Sequence, residues 1–257
     1  SLIFYSLYSK TLREIFSFRL ALGFCVIVPL ILIIGWIVFG RVEKESERSV
    51  LITQSYHGNI GYMGLPVVFM SLGTAAASKA SLLLGLGAII QIPLTMSVLV
   101  YLNSADSNIG EEIKKIPLNP VILSLIAGLV FSYFSLPIPS FLDTVLSWIG
   151  EAALPIAMLG VGATLKLSGL FERASVFGSV VGLKMILMPL LGWAILNLLN
   201  VETLGMETAV LLLAMPTAVS TFIYSKELGG DEEIASVNIS LTTLISLLSI
   251  SIILFVF

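Results

Sequence analysis

Residues 56–73, YHGNIGYMGLPVVFMSLG, constrain the fold of this chain more than any other stretch. They lie where the apolar pattern calls for a membrane span, yet they include Gly58, Gly61, Gly64 and Pro66. Glycine and proline are the poorest helix formers. In hydrocarbon, an interrupted backbone survives only where protein buries it or where it lines a cavity. The stretch therefore reads as a discontinuous helix, with breaks at Gly58 and Pro66. A second interrupted span, Ala214-Met215-Pro216-Thr217-Ala218, lies far downstream, with its break at Pro216. Paired broken helices build substrate sites near the mid-membrane in secondary transporters.

Composition fixes the class. Of 257 residues, 57% are hydrophobic and 11% charged, against roughly a quarter charged in a soluble domain. An all-α polytopic protein in the lipid bilayer is expected. A net charge of -3 without a basic cluster argues against nucleic acid. Cys25 is the single cysteine and His57 the single histidine, so no metal cluster is expected, and no cofactor. There is no Gly-x-x-x-x-Gly-Lys-Ser/Thr loop for ATP. Energy would come from an ion gradient, the substrate gradient or another subunit.

Apolar runs cover 18–39, 50–72, 75–102, 119–134, 141–165, 175–199, 208–228 and 234–257. They predict about eight full spans plus a partial one at the start. The opening SLIFYSLYSK reads as the tail of a span, with sequence expected ahead of Ser1. The polar segment 103–119 separates two halves: 1–105, a linker over 106–118, and 119–257. The halves repeat. Gly73 and Gly229 each close an interrupted span, and counting back equally sets Ile60 opposite Pro216, which predicts breaks at the same depth. Pro29 and Pro189 sit in the preceding spans. By this alignment the first half lacks about 35 residues, one span and part of another. An odd number of spans per half makes the repeats inverted. Lys and Arg concentrate in one set of loops (Arg41, Lys44, Arg48, Lys114, Lys115, Lys166, Arg173, Lys226) over the other (Lys10, Arg13, Arg19, Lys79). The first set, with the 103–119 loop, is expected to be cytoplasmic and the C-terminus outside.

Several side chains could carry chemistry. Asn59 stands beside backbone N–H groups freed by the break, which attract anions; it is either a substrate contact or a cap on a half-helix. Gly61, Tyr62 and Gly64 are expected to join it, the glycines either for close backbone approach or for helix packing. Met215, Thr217 and Ser220 flank the second break as further lining groups. Lys184 lies near the middle of its span, where charge is costly and functional. It could meet a substrate carboxylate or pair with Glu151. His57 titrates near neutral pH when unperturbed, making it and Glu151 candidates for ion coupling; the alternative for His57 is a satisfied polar core residue. Gln91, Asn238 and Thr242 are expected to form interhelical hydrogen bonds.

With these residues in hand, the chain resembles the auxin efflux carrier family, within the larger group that includes bile acid sodium symporters. Gly58-Asn59-Ile60-Gly61-Tyr62-Met63-Gly64-Leu65-Pro66 resembles that family's Asn-x-Gly-x-x-Gly-Leu-Pro signature. Leu154-Pro155-Ile156-Ala157 with Gly160 and Gly162, Lys184 with Pro189, Ala214-Met215-Pro216, and Leu241-Thr242-Thr243-Leu244-Ile245-Ser246 support it. The resemblance implies ten spans in two inverted five-helix repeats, with the fourth and ninth helices broken and crossing. It also implies auxin-like or dicarboxylate substrates and a homodimer. The first helix would be absent here, and the loop between halves is short, as in prokaryotic members.

The expected function is secondary active transport of a small organic anion, a carboxylate, across the plasma membrane, coupled to protons or Na⁺. One bundle carrying the crossed helices would move against a scaffold. An intramembrane enzyme would need a nucleophile–base or carboxylate pair at membrane depth, and none is visible. A passive channel is the other alternative; saturable flux with counterflow separates it from a carrier.

Overall fold

The computed structural model of the protein describes residues 2–8, 10–11, 16–103, 120–152, 155–156, 159 and 174–256. All regular structure among them is helical: α1 (Leu2–Tyr8), α2 (Phe18–Val38), α3 (Glu45–Gln54), α4 (Leu65–Asn103), α5 (Pro120–Phe134), α6 (Ser140–Glu151), α7 (Ala174–Val181), α8 (Met188–Leu198), α9 (Thr203–Leu213), α10 (Ser220–Glu227) and α11 (Glu232–Val256). Two π-helical turns, Ile60–Gly64 and Gly182–Leu187, lead into α4 and α8. The linker over 106–118, Lys166, Arg173 and the glycines at 160 and 162 lie outside the described residues.

Four helical segments are long and apolar enough to cross a membrane: Phe18–Val38, Ile60–Asn103, Phe177–Leu198 and Glu232–Val256. The eight full spans expected from the sequence do not appear as eight long helices. The interrupted spans explain part of the difference. The half-helices α3 and α9 have 10 and 11 residues, about half of a ~30 Å hydrocarbon core at 1.5 Å per residue. Ile60–Asn103, by contrast, has 44 residues, about twice the length needed. Gly73 bends it, with φ 81 and ψ -174, a backbone open to glycine and strained for other residues. Gly229 also has positive φ, 74, and Gly230 N–H donates to Ser225 at 2.7 Å in the turn that ends α10.

The outer surface of α11 is apolar, and its buried face carries polar residues. On α11, Leu247, Leu248, Ile252 and Phe255 face outward, while Asn238, Thr242 and Ser246, at intervals of one turn, are buried. The main core draws on α2, α3, α4, α9 and α11, among others, and includes Phe24, Ile52, Leu83, Leu212 and Val237. A smaller cluster of Leu7, Leu82 and Leu125 joins α1, α4 and α5. Ile3 and Leu86 border both. Tyr8 donates to Asp143 and Phe4 meets Phe131 edge-on, tying α1 to α6 and α5.

Candidate functional site

The two interrupted spans meet at their breaks. After α3, His57 N–H returns to the Thr53 carbonyl at 3.1 Å. The chain then runs through Gly58 and Asn59. Asn59 has φ -77 and ψ 60, an inverse γ-turn, and Ile60 N–H closes it on the Gly58 carbonyl at 2.9 Å. Opposite lies Pro216-Thr217-Ala218. Asn59 N–H donates to Pro216 at 2.8 Å, Ala218 N–H donates to His57 at 3.0 Å, and Gly58 and Thr217 form an antiparallel bridge. Each broken backbone thus satisfies the other, as hydrocarbon requires.

A cavity of about 570 Å³ opens on the crossing, lined by His57, Asn59, Gly61, Tyr62, Gln91 and Ser220, among others. Gly58 and Pro66 also line it, and Leu2, Ile3 and Pro120 form its far wall. It therefore lies where the ends of α1 and α5 meet the crossing. Asn59 is 2% exposed. Its side chain does not cap the helix, and its Nδ2 has no partner. The capping role that the sequence left open is not the one adopted. Gln91 is 2% exposed and its Nε2 is also unpaired, in place of the interhelical hydrogen bond expected of it. Unpaired buried amide donors cost about 1–3 kcal/mol each, so a ligand that accepts from both would recover that cost.

Other sequence candidates lie elsewhere. Gly64 is packed against Leu212 and Met215, where a β-carbon would stand 2.8 Å from Leu212 Cδ2 and 3.0 Å from Met215 Cγ. Met215 and Thr217 are fully buried, and Thr217 Oγ1 donates to the Gln54 carbonyl at 3.1 Å. Lys184 is 0% exposed and does not line the cavity. Its Nζ donates to the Leu213 carbonyl at 2.6 Å and to Met188 Sδ at 3.4 Å. Glu151 is not its partner: it is exposed, accepts from Ser147 at 3.0 Å, and is not brought to the crossing. His57 Nδ1 shares the Thr95 hydroxyl, at 2.8 Å, with Tyr56 Oη at 3.1 Å.

The structure adds Gln54, whose Nε2 donates to Thr221 Oγ1 at 3.1 Å and to the Ala235 carbonyl at 3.0 Å. Its signal was a buried amide two residues before Tyr56, at the end of an otherwise regular half-helix. Thr242 makes its expected bond, accepting from Thr217 N–H at 3.2 Å; Asn238 leaves both amide atoms unpaired. Ion pairs among the described residues hold the span ends. Lys44–Asp231 and Lys79–Glu202, both 2.8 Å, are the shortest, and Lys184 takes part in none of them.

Comparison with known proteins gives the same direction. Residues 107–254 match a family described as membrane transport protein. A Rhizobium meliloti protein named "Putative malonate transporter" is 29% identical over 232 residues, 88% of this chain and 72% of that protein. An uncharacterized transporter of Methanocaldococcus jannaschii is 30% identical over 216 residues, 81% of this chain and 68% of its own. An uncharacterized transporter of Methanothermobacter thermautotrophicus is 25% identical over 252 residues, 97% and 82% of the two chains.

Proposed function

Because this chain belongs to the membrane transport protein family, of the auxin efflux carrier type, we propose that it is a secondary carrier of a small organic anion, a carboxylate. One observation carries this reading. Asn59 and Gln91 line one cavity and each holds a buried amide nitrogen without a partner, at a helix break whose N–H end favours negative charge. A carboxylate accepts from both. The relative named for malonate makes a short dicarboxylate the first substrate to try.

The mechanism we propose is alternating access. The chain is two inverted repeats, 1–105 and 119–257, and the crossed helices travel as one unit. A small cluster joining α1, α4 and α5 apart from the main core, with the ends of α1 and α5 on the cavity, supports that reading. The bundle holding Asn59 and Thr217 slides against a scaffold of α1, α5 and α6, which also carries the dimer contact. The 103–119 loop faces the cytoplasm and the C-terminus faces outward across the plasma membrane.

Purified full-length protein in lipid vesicles tests the proposal. Saturable uptake of labelled malonate, with counterflow when the vesicles are preloaded, is the expected result. Flux that rises linearly with concentration and shows no counterflow would indicate a channel instead. Absence of any carboxylate flux, with flux of a neutral or cationic solute, would sink the anion reading.

A further inference from the structure

The crossing has two carbonyl-bearing ends, the C-termini of half-helices α3 and α9. The last turn of a helix leaves carbonyls without intrahelical partners and carries partial negative charge. In carriers built on broken helices, such ends and the unwound carbonyls beside them are where coupling cations bind. Here the protein's own donors reach both. At α3, Ile52 accepts from Ser55 N–H at 3.2 Å and Ser55 Oγ at 2.7 Å, Thr53 from His57 N–H, and Gln54 from Thr217 Oγ1 at 3.1 Å. At α9, Val210 and Leu212 accept from Ala214 and Met215 N–H at 3.0 and 3.2 Å. Leu213 accepts from the Lys184 ammonium at 2.6 Å.

From this geometry we infer that Lys184 is a tethered cation, holding the place at the carbonyl end of α9 that a free coupling cation would otherwise occupy. The carrier therefore needs no Na⁺ at the crossing to bind its anion. Three features fit the ammonium to that place. Lys184 sits in the π turn Gly182–Leu187, a local widening common at functional positions. Met188 Sδ, one turn on, steadies Nζ at 3.4 Å. Gly58 has no side chain to displace it: a β-carbon there would stand 3.1 Å from Nζ and 3.2 Å from Cε. Gly58 also lines the cavity, so the Lys184 amino group packs against a residue of the wall that Asn59 shares. Lys184 is thus a positioning residue, which holds the break and biases the cavity toward anions without touching them.

The first test needs no variant and no substrate. The melting temperature of the purified wild-type protein is compared in NaCl, KCl and choline chloride at equal ionic strength. The inference expects the same value in all three; a rise specific to Na⁺ overturns it. The second test rests on the carrier reading. Malonate should raise the wild-type melting temperature equally in the three salts. Lys184→Ala should lose at least tenfold in malonate affinity and recover part of it in methylammonium, which has no effect on wild type. Undiminished affinity in Lys184→Ala, or no recovery in methylammonium, overturns the tethered-cation role. Should wild type respond to no carboxylate, the substrate reading fails while the salt comparison still decides the inference. The same comparison decides if Lys184→Ala does not fold.

Discussion

Gly64 of the first interrupted span packs directly on Met215 of the second: a β-carbon on Gly64 would stand 3.0 Å from Met215 Cγ and 2.8 Å from Leu212 Cδ2. Both neighbours are fully buried or nearly so, so neither moves without disturbing the core. Gly64→Ala should therefore cost about 1–3 kcal/mol through overpacking. Gly178→Ala on α7 is the control, since a β-carbon there meets nothing within 4 Å. It should be neutral or mildly stabilising through helix propensity. Thermal unfolding of the two variants in detergent checks this. Equal melting temperatures would mean that the crossing is looser than its geometry.

Gln91 should show opposite effects on stability and on binding. Its unpaired Nε2 is a cost in the empty protein. Gln91→Leu removes that cost, so the variant should melt higher by an amount matching about 1 kcal/mol. It should also bind malonate about tenfold or more weakly, because a hydrogen bond to a charged group is lost. Asn59→Asp goes further, placing a carboxylate against the substrate's own, and should abolish binding. Binding titrations beside melting curves separate the two effects. A Gln91→Leu protein that is both less stable and fully competent to bind would show that the amide is structural.

How much of this could be read from the chain depended on the range of each interaction. The crossing was legible because Gly58 and Pro216 act on their own backbone, whatever surrounds them; Pro66, expected as a second break, instead sits in the first turn of α4, inside the helical run Ile60–Asn103. The depth of Lys184 followed from counting along one helix. Its partner did not, because Leu213 lies on another element and a carbonyl leaves no mark on side-chain identity. Gln91 and Asn238 looked like ordinary interhelical bonds. Only the packing around them shows that Gln91 Nε2 and both Asn238 amide atoms lack partners. The span count was hardest, since hydropathy scores apolar length and cannot see that α3 and α9 stop halfway.

Asp231 supplies a pH dependence outside the membrane segments. It caps α11 through Oδ1, accepting from Glu233 and Ile234 N–H at 3.1 Å, and Lys44 Nζ lies 2.8 Å from Oδ2. Burial pushes its carboxyl up, but the Lys44 hydrogen bond and charge and the two N–H groups outweigh that and hold it below 3.8. A group whose folded value is depressed stabilises the fold above its unfolded value and loses that contribution as pH falls through the folded one. Asp231→Asn keeps a good cap and removes the charge. The variant should melt below wild type near neutrality, and the gap should close as pH drops below 3.8. A gap that stays constant through that range would assign the effect to the cap geometry alone.

Thr217 is where the closure of the crossing can be tested without touching the charge. Its hydroxyl donates to the Gln54 carbonyl at 3.1 Å and its N–H to Thr242 Oγ1 at 3.2 Å, so one residue joins the end of α3, the second break and α11. Thr217→Val keeps the volume and the N–H but deletes the hydroxyl, leaving a buried carbonyl unpaired. That should cost about 1–3 kcal/mol, with α3 loosened at its end. Thr217→Ser keeps the hydroxyl and loses only a methyl group, so it should cost less than the valine variant. The order wild type, Ser, Val in melting temperature is expected to hold for malonate affinity as well, because Asn59 hangs from the same paired backbone through its N–H to Pro216. If Val matches wild type in both, the hydroxyl contributes nothing, and the Gly58–Thr217 bridge alone holds the two breaks together.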